Sequence, residues 1–237
     1  MILLGVLGFI KGDFTVLWAP VPKTVPAREA LAYLCAFVSA VSGIGLLWRG
    51  TATIASRALL GYLLLWLLLF RIPGLFHSLA VDVYWSACST AVVVSAAWVL
   101  YVWFAAAWDK AHLAFVTGRN GLHIARALYG LAIIPFGISH LQYVKQTAAL
   151  VPAWLPAHLA LAYFTGAAFI AAGLAILIGV CARLAAALST LQMGLFLLLV
   201  WVPRVIARSL SAFQWGETVI SLVLTAAAWV VTDSYHK

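Results

Sequence analysis

Long apolar runs, separated by short polar or proline-containing segments, make up most of the chain. A membrane-spanning helix needs about 20 predominantly apolar residues, with roughly 17 as a lower limit. Seven segments meet or approach this length: residues 29–48, 55–70, 83–103, 121–141, 158–180, 184–202 and 216–231. An eighth apolar segment, residues 1–10, is too short to cross a membrane by itself. The pattern predicts an all-α polytopic membrane protein with seven full transmembrane helices and a short N-terminal half-helix.

Residues of the same kind recur at a constant spacing of 130 positions. The pairs are Pro22/Pro152, Pro26/Pro156, Tyr33/Tyr163, Gly43/Gly173, Pro73/Pro203 and Trp85/Trp215. Composition alone does not keep prolines, a glycine and a tryptophan in register, so we predict two tandem four-helix units. The first copy covers residues 1–105, a linker covers 106–120, and the second copy covers 121–237. An even number of helices per copy predicts a pseudo-twofold axis along the membrane normal.

The composition agrees with a membrane protein. Hydrophobic residues account for 66% of the chain and charged residues for 8%, with a mean hydropathy of +1.10. Soluble domains carry about 25% charged residues. The net charge of +8 comes from isolated bases between apolar runs, which is typical of helix ends that face anionic headgroups. We therefore expect the lipid bilayer as a partner, and no nucleic acid.

Side chains that could carry chemistry gather at the proline-loop end of the predicted bundle. An ionisable group at membrane depth is costly, so its presence indicates a functional site. The candidates for proton transfer are His140 and Glu217. The candidates for substrate binding are Arg204, Trp201, Trp215, His77 and Asp82. No metal-ligand spacing or nucleotide-binding motif occurs in the sequence, so no metal site is predicted.

The ionisable candidates also have structural explanations. Glu217 could accept a proton or bind an amine, or it could be a first-turn acid stabilised by the helix dipole. His77 and His140 could ligate haem or carry protons to a quinone, or they could hydrogen-bond carbonyl groups. Their non-equivalent positions in the two copies count against haem. Arg71 and Arg204 could hold an anion, although we favour the interpretation that they snorkel to the membrane interface.

Several motifs of the second copy fit a known membrane family. They are Gly137-Ile138-Ser139-His140-Leu141, Val151-Pro152-Ala153-Trp154-Leu155-Pro156, Ala162-Tyr163-Phe164-Thr165-Gly166, Gly173-Leu174-Ala175, Arg183-Leu184-Ala185-Ala186, Trp201-Val202-Pro203-Arg204-Val205 and Trp215-Gly216-Glu217. In this order and spacing, residues 121–231 resemble the DoxX-like family, which includes the DoxD-type small subunits of thiosulfate:quinone oxidoreductases. The first copy resembles the family less, because Ala87 stands where Glu217 would be matched at the spacing of 130. We therefore expect one asymmetric site, in the second copy.

The resemblance implies a quinone-linked redox enzyme or subunit of the thiosulfate:quinone type in a bacterial or archaeal plasma membrane. His140 or Glu217 would handle the proton of the quinone, and Arg204 would hold a sulfur anion. A soluble redox subunit and an oligomer or larger complex are expected partners. Two other functions stay open: a non-catalytic accessory protein that binds a lipid or a partner, and a small-molecule permease. Bases in the short turns favour cytoplasmic termini, which places the site outside.

Overall fold

The computed structural model describes residues 1–78, 80–207 and 211–236, and the side chain of Asp82 lies outside the described residues. Contacts divide the chain into unit 1, Met1–Ala125, and unit 2, Arg126–Lys237. Before residue 119 the α-helices of the described part are α1 Ile2–Lys11, α2 Arg28–Gly45, α3 Arg49–Trp66, α4 Ile72–His77, α5 Val81–Phe104, α6 Ala107–His112 and α7 Ala114–Thr117. They are followed by α8 Arg119–Gln142, α9 Val144–Leu150, α10 His158–Ile178, α11 Ala182–Phe196, α12 Val202–Ile206 and α13 Ala212–Asp233. Short π-helices, Leu67–Arg71 and Leu197–Trp201, join α3 to α4 and α11 to α12, and the 3-10 turn Ser234–His236 follows α13.

The described helices confirm an all-helical membrane protein with several candidate spans. Among the described residues, six helices are long and apolar enough to cross a membrane: Arg49–His77, Val83–Phe104, Arg119–Gln142, His158–Ile178, Ala182–Ile206 and Ala212–His236. The short apolar helix α1 adds to them. The seventh predicted span, residues 29–48, corresponds largely to the 18-residue helix α2, Arg28–Gly45, which is not one of these six. Arg28 and Glu29 in the first turn of α2, with Ser39 and Ser42 further along, lower its hydropathy.

Close backbone packing joins α1 to α2 in unit 1. A Cβ on Gly5 would lie 2.6 Å from the carbonyl oxygen of Ala36, and one on Gly8 would lie 2.7 Å from the Ala36 Cβ. After α1 the chain turns back into the unit, and this segment buries Phe14, Leu17 and Trp18. The segment therefore belongs to the core of unit 1 and is not an exposed loop.

Arg71 connects the segment after α1 to the helices of unit 1 by hydrogen bonds. Its side chain is 2% exposed. Its guanidinium donates to the carbonyl oxygens of Leu17 at 2.9 Å, Ala19 at 2.7 Å and Pro20 at 2.9 Å, and to Thr90 Oγ1 at 3.3 Å. The interpretation that Arg71 snorkels to the interface was therefore wrong, because backbone carbonyls inside unit 1 satisfy its donors.

A buried carboxylate holds the linker helix α6 in unit 1. Asp109 is fully buried, and it accepts hydrogen bonds from Arg57 at 2.6 and 2.7 Å, from Tyr101 at 2.8 Å and from the Ala106 amide at 3.0 Å. Burial acts to raise the pKa of Asp109, but these hydrogen bonds outweigh it and hold the pKa below its usual range. The linker is thus fixed by a charged contact that depends on an ionised Asp109.

Paired glycines bring α8 and α10 together in unit 2. A Cβ on Gly130 would lie 3.1 Å from the Gly173 carbonyl oxygen, and one on Gly137 would lie 2.4 Å from that of Gly166. Gly130 faces Gly173, and Gly137, further along α8, faces Gly166, which comes earlier in α10. The two helices therefore run antiparallel. Small residues at such contacts are the usual means of close helix packing in membranes.

Local backbone features also recur at the spacing seen in the sequence. Ala27 and Ala157 both precede a long helix with positive φ, at 50° and 55°. The two π-helices begin at Leu67 and Leu197 and stand just before Pro73 and Pro203. A proline has no N–H to donate and disturbs the preceding helical turn, which explains the widened turns. These recurrences agree with the predicted duplication, which stays a prediction, as do the domain boundaries and the pseudo-twofold axis.

Candidate functional site

The loop end of unit 2 is the end at which α8 and α12 finish and α10 and α13 begin. The antiparallel pairing of α8 and α10 places Gln142 and His158 at this end. The α11 and α13 helices are also antiparallel, because Thr190 bonds to Thr232 at 2.9 Å while Gly194 lies opposite Thr225. His140, Trp201, Arg204 and Glu217 therefore belong to the same end of one helical unit, as the sequence predicted.

His140 lies against two aromatic rings from neighbouring helices. The glycine contact between α8 and α10 brings its ring centroid to 5.6 Å from that of Phe169, and Phe196 of α11 stacks at 5.5 Å with an interplanar angle of 16°. His140 Nδ1 is 2.7 Å from the carbonyl oxygen of Phe136. A carbonyl only accepts, so Nδ1 donates, and in the neutral imidazole Nε2 keeps a lone pair. The imidazole is thus fixed in orientation with one nitrogen able to accept a hydrogen bond or a proton.

Glu217 is half-buried in α13. Ser211 and Gln214 cap this helix: the Gln214 amide donates to Ser211 Oγ at 3.3 Å, and the Ser211 amide donates to Gln214 Oε1 at 2.9 Å. Glu217 is the sixth residue of the helix and lies beyond the first turn. The dipole effect fades within that turn, so a first-turn acid is the wrong description. Among the described residues, no hydrogen bond or ion pair to the Glu217 carboxylate is formed.

Arg204 and Trp201 form a cation–π pair beside the proline. The Arg204 guanidinium lies 5.3 Å from the centroid of the Trp201 ring. Trp201 is buried and ends the π-helix, while Arg204 is half-buried. The pair places a positive charge at the loop end next to a large apolar ring, an arrangement that suits an anion or a polarised carbonyl group.

The other three predicted site residues have different positions. Trp215 is exposed in the first turn of α13, as expected of a ring at the membrane interface. His77 is exposed at the end of α4 in unit 1. Asp82 is on α5 in the same unit, and its side chain lies outside the described residues. The helix packing within unit 2 therefore places His140, Trp201, Arg204 and Glu217 at the same end of that unit, whereas His77 and Asp82 belong to unit 1.

Sequence reasoning missed Phe169 and Phe196, the rings that flank His140. Aromatic residues in apolar helices are ordinary core residues, so no sequence signal separated these two from the others. It also missed Gln192, whose amide nitrogen donates to the Thr165 carbonyl at 3.0 Å and joins α11 to α10. A glutamine inside an apolar run is the one signal that could have indicated a buried polar contact.

The positions in unit 1 that match Phe169 and Phe196 at the 130-residue spacing are Ser39 and Trp66. They hold the indole of Trp18. Its Nε1 donates to Ser39 Oγ at 3.1 Å, and its ring is 5.2 Å from that of Trp66. In unit 1 the space between these two positions is therefore filled by Trp18, which belongs to the segment after α1 that Arg71 binds.

The comparisons with known proteins place the likeness in unit 2. The DoxX family model matches residues 121–202, about a third of the chain. The match includes His140 and Trp201 and ends before Arg204 and Glu217. No curated protein and no solved structure matches the chain. The resemblance to the DoxX family is thus confirmed over this segment. Among the described residues, no group of three or more His, Cys, Asp or Glu could hold a metal ion.

Proposed function

We propose that this chain, which is a DoxX-like membrane protein over residues 121–202, binds a quinone head group at the loop end of unit 2 and serves quinone-linked redox chemistry there. The observation that supports this most is His140. Its ring stacks on Phe196 and lies against the tilted ring of Phe169, and in the neutral imidazole its Nε2 is an acceptor. A quinone needs a flat apolar surface and hydrogen-bonding groups at its two oxygens.

Reduction of a quinone takes up two electrons and two protons. In the thiosulfate:quinone type of reaction, two thiosulfate anions each lose one electron and join through a new S–S bond as tetrathionate. The quinone gains both electrons and becomes the quinol with two protons from solvent. His140 Nε2 and the Glu217 carboxylate are the groups at this end that can pass those protons to the quinone oxygens.

Arg204 supplies the positive charge for the anionic substrate. Its planar guanidinium can donate several hydrogen bonds to an oxyanion, and the Trp201 ring beneath it keeps it oriented. With the termini in the cytoplasm, as the charge distribution favours, this end faces the outside of a bacterial or archaeal plasma membrane. A sulfur oxyanion would then arrive from the aqueous side and the quinone from the bilayer.

The test is thiosulfate-dependent quinone reduction in proteoliposomes that contain the full chain with any co-purifying subunit. Glu217→Gln removes a proton acceptor while it keeps the shape of the side chain, and Glu29→Gln, an exposed acid of α2, is the matched control. His140→Phe keeps the aromatic packing but removes Nε2. General acid–base groups contribute about 10²–10⁴-fold, so each site variant should lose at least about tenfold in turnover.

Quinone binding should be measured in the same samples with a photoreactive quinone analogue. Labelling of unit 2 that His140→Phe reduces, with unchanged labelling of the Glu29→Gln control, supports the binding site. Unchanged turnover and labelling in both site variants would contradict the proposal. Labelling with no turnover, even with a co-purified subunit, would instead favour the accessory function.

A further inference from the structure

A groove runs along α11 and α13 and opens at the end of unit 2 opposite the loop end. It has a volume of about 370 Å³. Leucines of α11, with Trp229 of α13, line its length, and Asp233 and His236 stand at its mouth. The groove shares neither His140 nor Glu217 with the loop end, so it is a separate feature of the unit.

The dimensions of the groove fit one lipid chain. Along the chain its lining extends from Ala187 of α11 to Leu198 of the π-helix that follows. Eleven helical steps cover about 16 Å at 1.5 Å per residue. This is roughly half of the ~30 Å hydrocarbon core, which is the depth of one bilayer leaflet. A ligand that enters at the mouth and follows the groove would therefore end near the middle of the membrane.

The mouth of the groove carries opposite charges. Asp233 is half-buried at the last residue of α13, where the helix dipole disfavours an acid. Among the described residues its carboxylate forms no hydrogen bond or ion pair, so a cation would stabilise it. Arg183 donates to His236 Nε2 at 3.2 Å, which holds its guanidinium at the same mouth. Its remaining N–H groups suit a phosphate.

We propose that this groove binds a phospholipid of the phosphatidylethanolamine type. One acyl chain lies along the leucines, the phosphate contacts Arg183, and the ammonium donates to Asp233. The charge pattern selects this headgroup. Phosphatidylglycerol would bring no cation to Asp233, and the quaternary ammonium of phosphatidylcholine has no N–H to donate.

Native mass spectrometry of the full chain in mild detergent tests the proposal, with phosphatidylethanolamine, phosphatidylcholine and phosphatidylglycerol added in equal amounts. The wild type should retain one lipid and prefer phosphatidylethanolamine over phosphatidylcholine by about fivefold, the effect of one partly exposed charge pair. Asp233→Asn should bring that preference close to parity without loss of binding, because the groove itself is unchanged.

A second variant tests the groove. Gly194 lines it, and Gly194→Leu should reduce the retention of all three lipids, whereas Gly61→Leu, at a glycine with open space, should not. Melting temperatures in the same detergent show that the variants are folded. The proposal is overturned if Asp233→Asn keeps the wild-type preference, if phosphatidylglycerol is preferred, or if Gly194→Leu retains lipid as the wild type does.

Discussion

Arg71→Met should loosen the segment that fills the core of unit 1. The change removes three hydrogen bonds from the guanidinium to the carbonyl groups of Leu17, Ala19 and Pro20. Hydrogen bonds to charged groups contribute about 1.5–3 kcal/mol each, so the gross loss is about 5–9 kcal/mol. The variant also escapes the cost of an arginine at membrane depth, about 2.5–3.5 kcal/mol. The free energy of unfolding should therefore fall by about 2–6 kcal/mol.

The measurement is unfolding of the purified chain in mixed micelles with increasing SDS, followed by tryptophan fluorescence. Trp18 and Trp66 are buried around the segment and are two of the eleven tryptophans, so the emission reports unfolding of the chain as a whole. Arg71→Lys should lose less, because a lysine keeps the charge and can still donate to carbonyls, but without the planar fork. Arg49→Met, at an exposed arginine of α3, is the control and should change stability by less than about 0.5 kcal/mol.

The result that would refute this reasoning is a stability of Arg71→Met equal to that of Arg49→Met. Such a result would mean that Arg71 contributes nothing net, as when the desolvation of a buried charge cancels its hydrogen bonds.

Two other contacts give direct tests. The pKa of Asp109 is lower in the folded chain than the usual value of about 3.9, so its contribution to stability is complete above about pH 4 and is lost as the pH falls through the folded pKa. Proteolysis of the linker should therefore accelerate only at acid pH, whereas Asp109→Asn, which weakens the pair with Arg57, should be cleaved faster at neutral pH as well. Gly137→Leu should lower the free energy of unfolding by about 1–3 kcal/mol, because its Cβ alone would lie 2.4 Å from the Gly166 carbonyl oxygen. Gly61→Leu should be close to neutral, and equal melting temperatures for the two leucine variants would contradict the packing of α8 on α10.

Much of the helical fold could be predicted because lipid requires long apolar helices with satisfied backbones. Residues 158–180 were predicted as a span, and α10 is His158–Ile178. The span predicted at residues 55–70 was too short. The helical run Arg49–His77 continues through Pro73. The π-helix Leu67–Arg71 widens the turn before this proline, so the helix continues although Pro73 has no N–H to donate. Apolar pattern sets the type of element, whereas such adjustments depend on the local backbone.

The site was harder to predict than the fold because its contacts join distant parts of the chain. The cost of burying an ionisable group indicated His140, Glu217 and Arg204, and these share one end of unit 2. For Arg71 the favoured interpretation, snorkelling to the interface, was wrong, because its carbonyl acceptors lie more than fifty residues earlier in the sequence. Nothing in a single sequence shows that residues 14–20 fold back to meet it.

The different contents of the two units argue for one site and not two. In unit 1, Ser39 and Trp66 hold Trp18, so the space among those helices is occupied by the chain itself. In unit 2 the matching positions flank His140, whose Nε2 is left to meet a ligand. The alanine at the position matching Glu217 removes the second proton acceptor from unit 1 as well. A permease that moves a solute between equivalent halves needs similar groups in both, whereas a binding site or a redox site needs only one. The inequality of the two halves therefore favours the quinone proposal over transport.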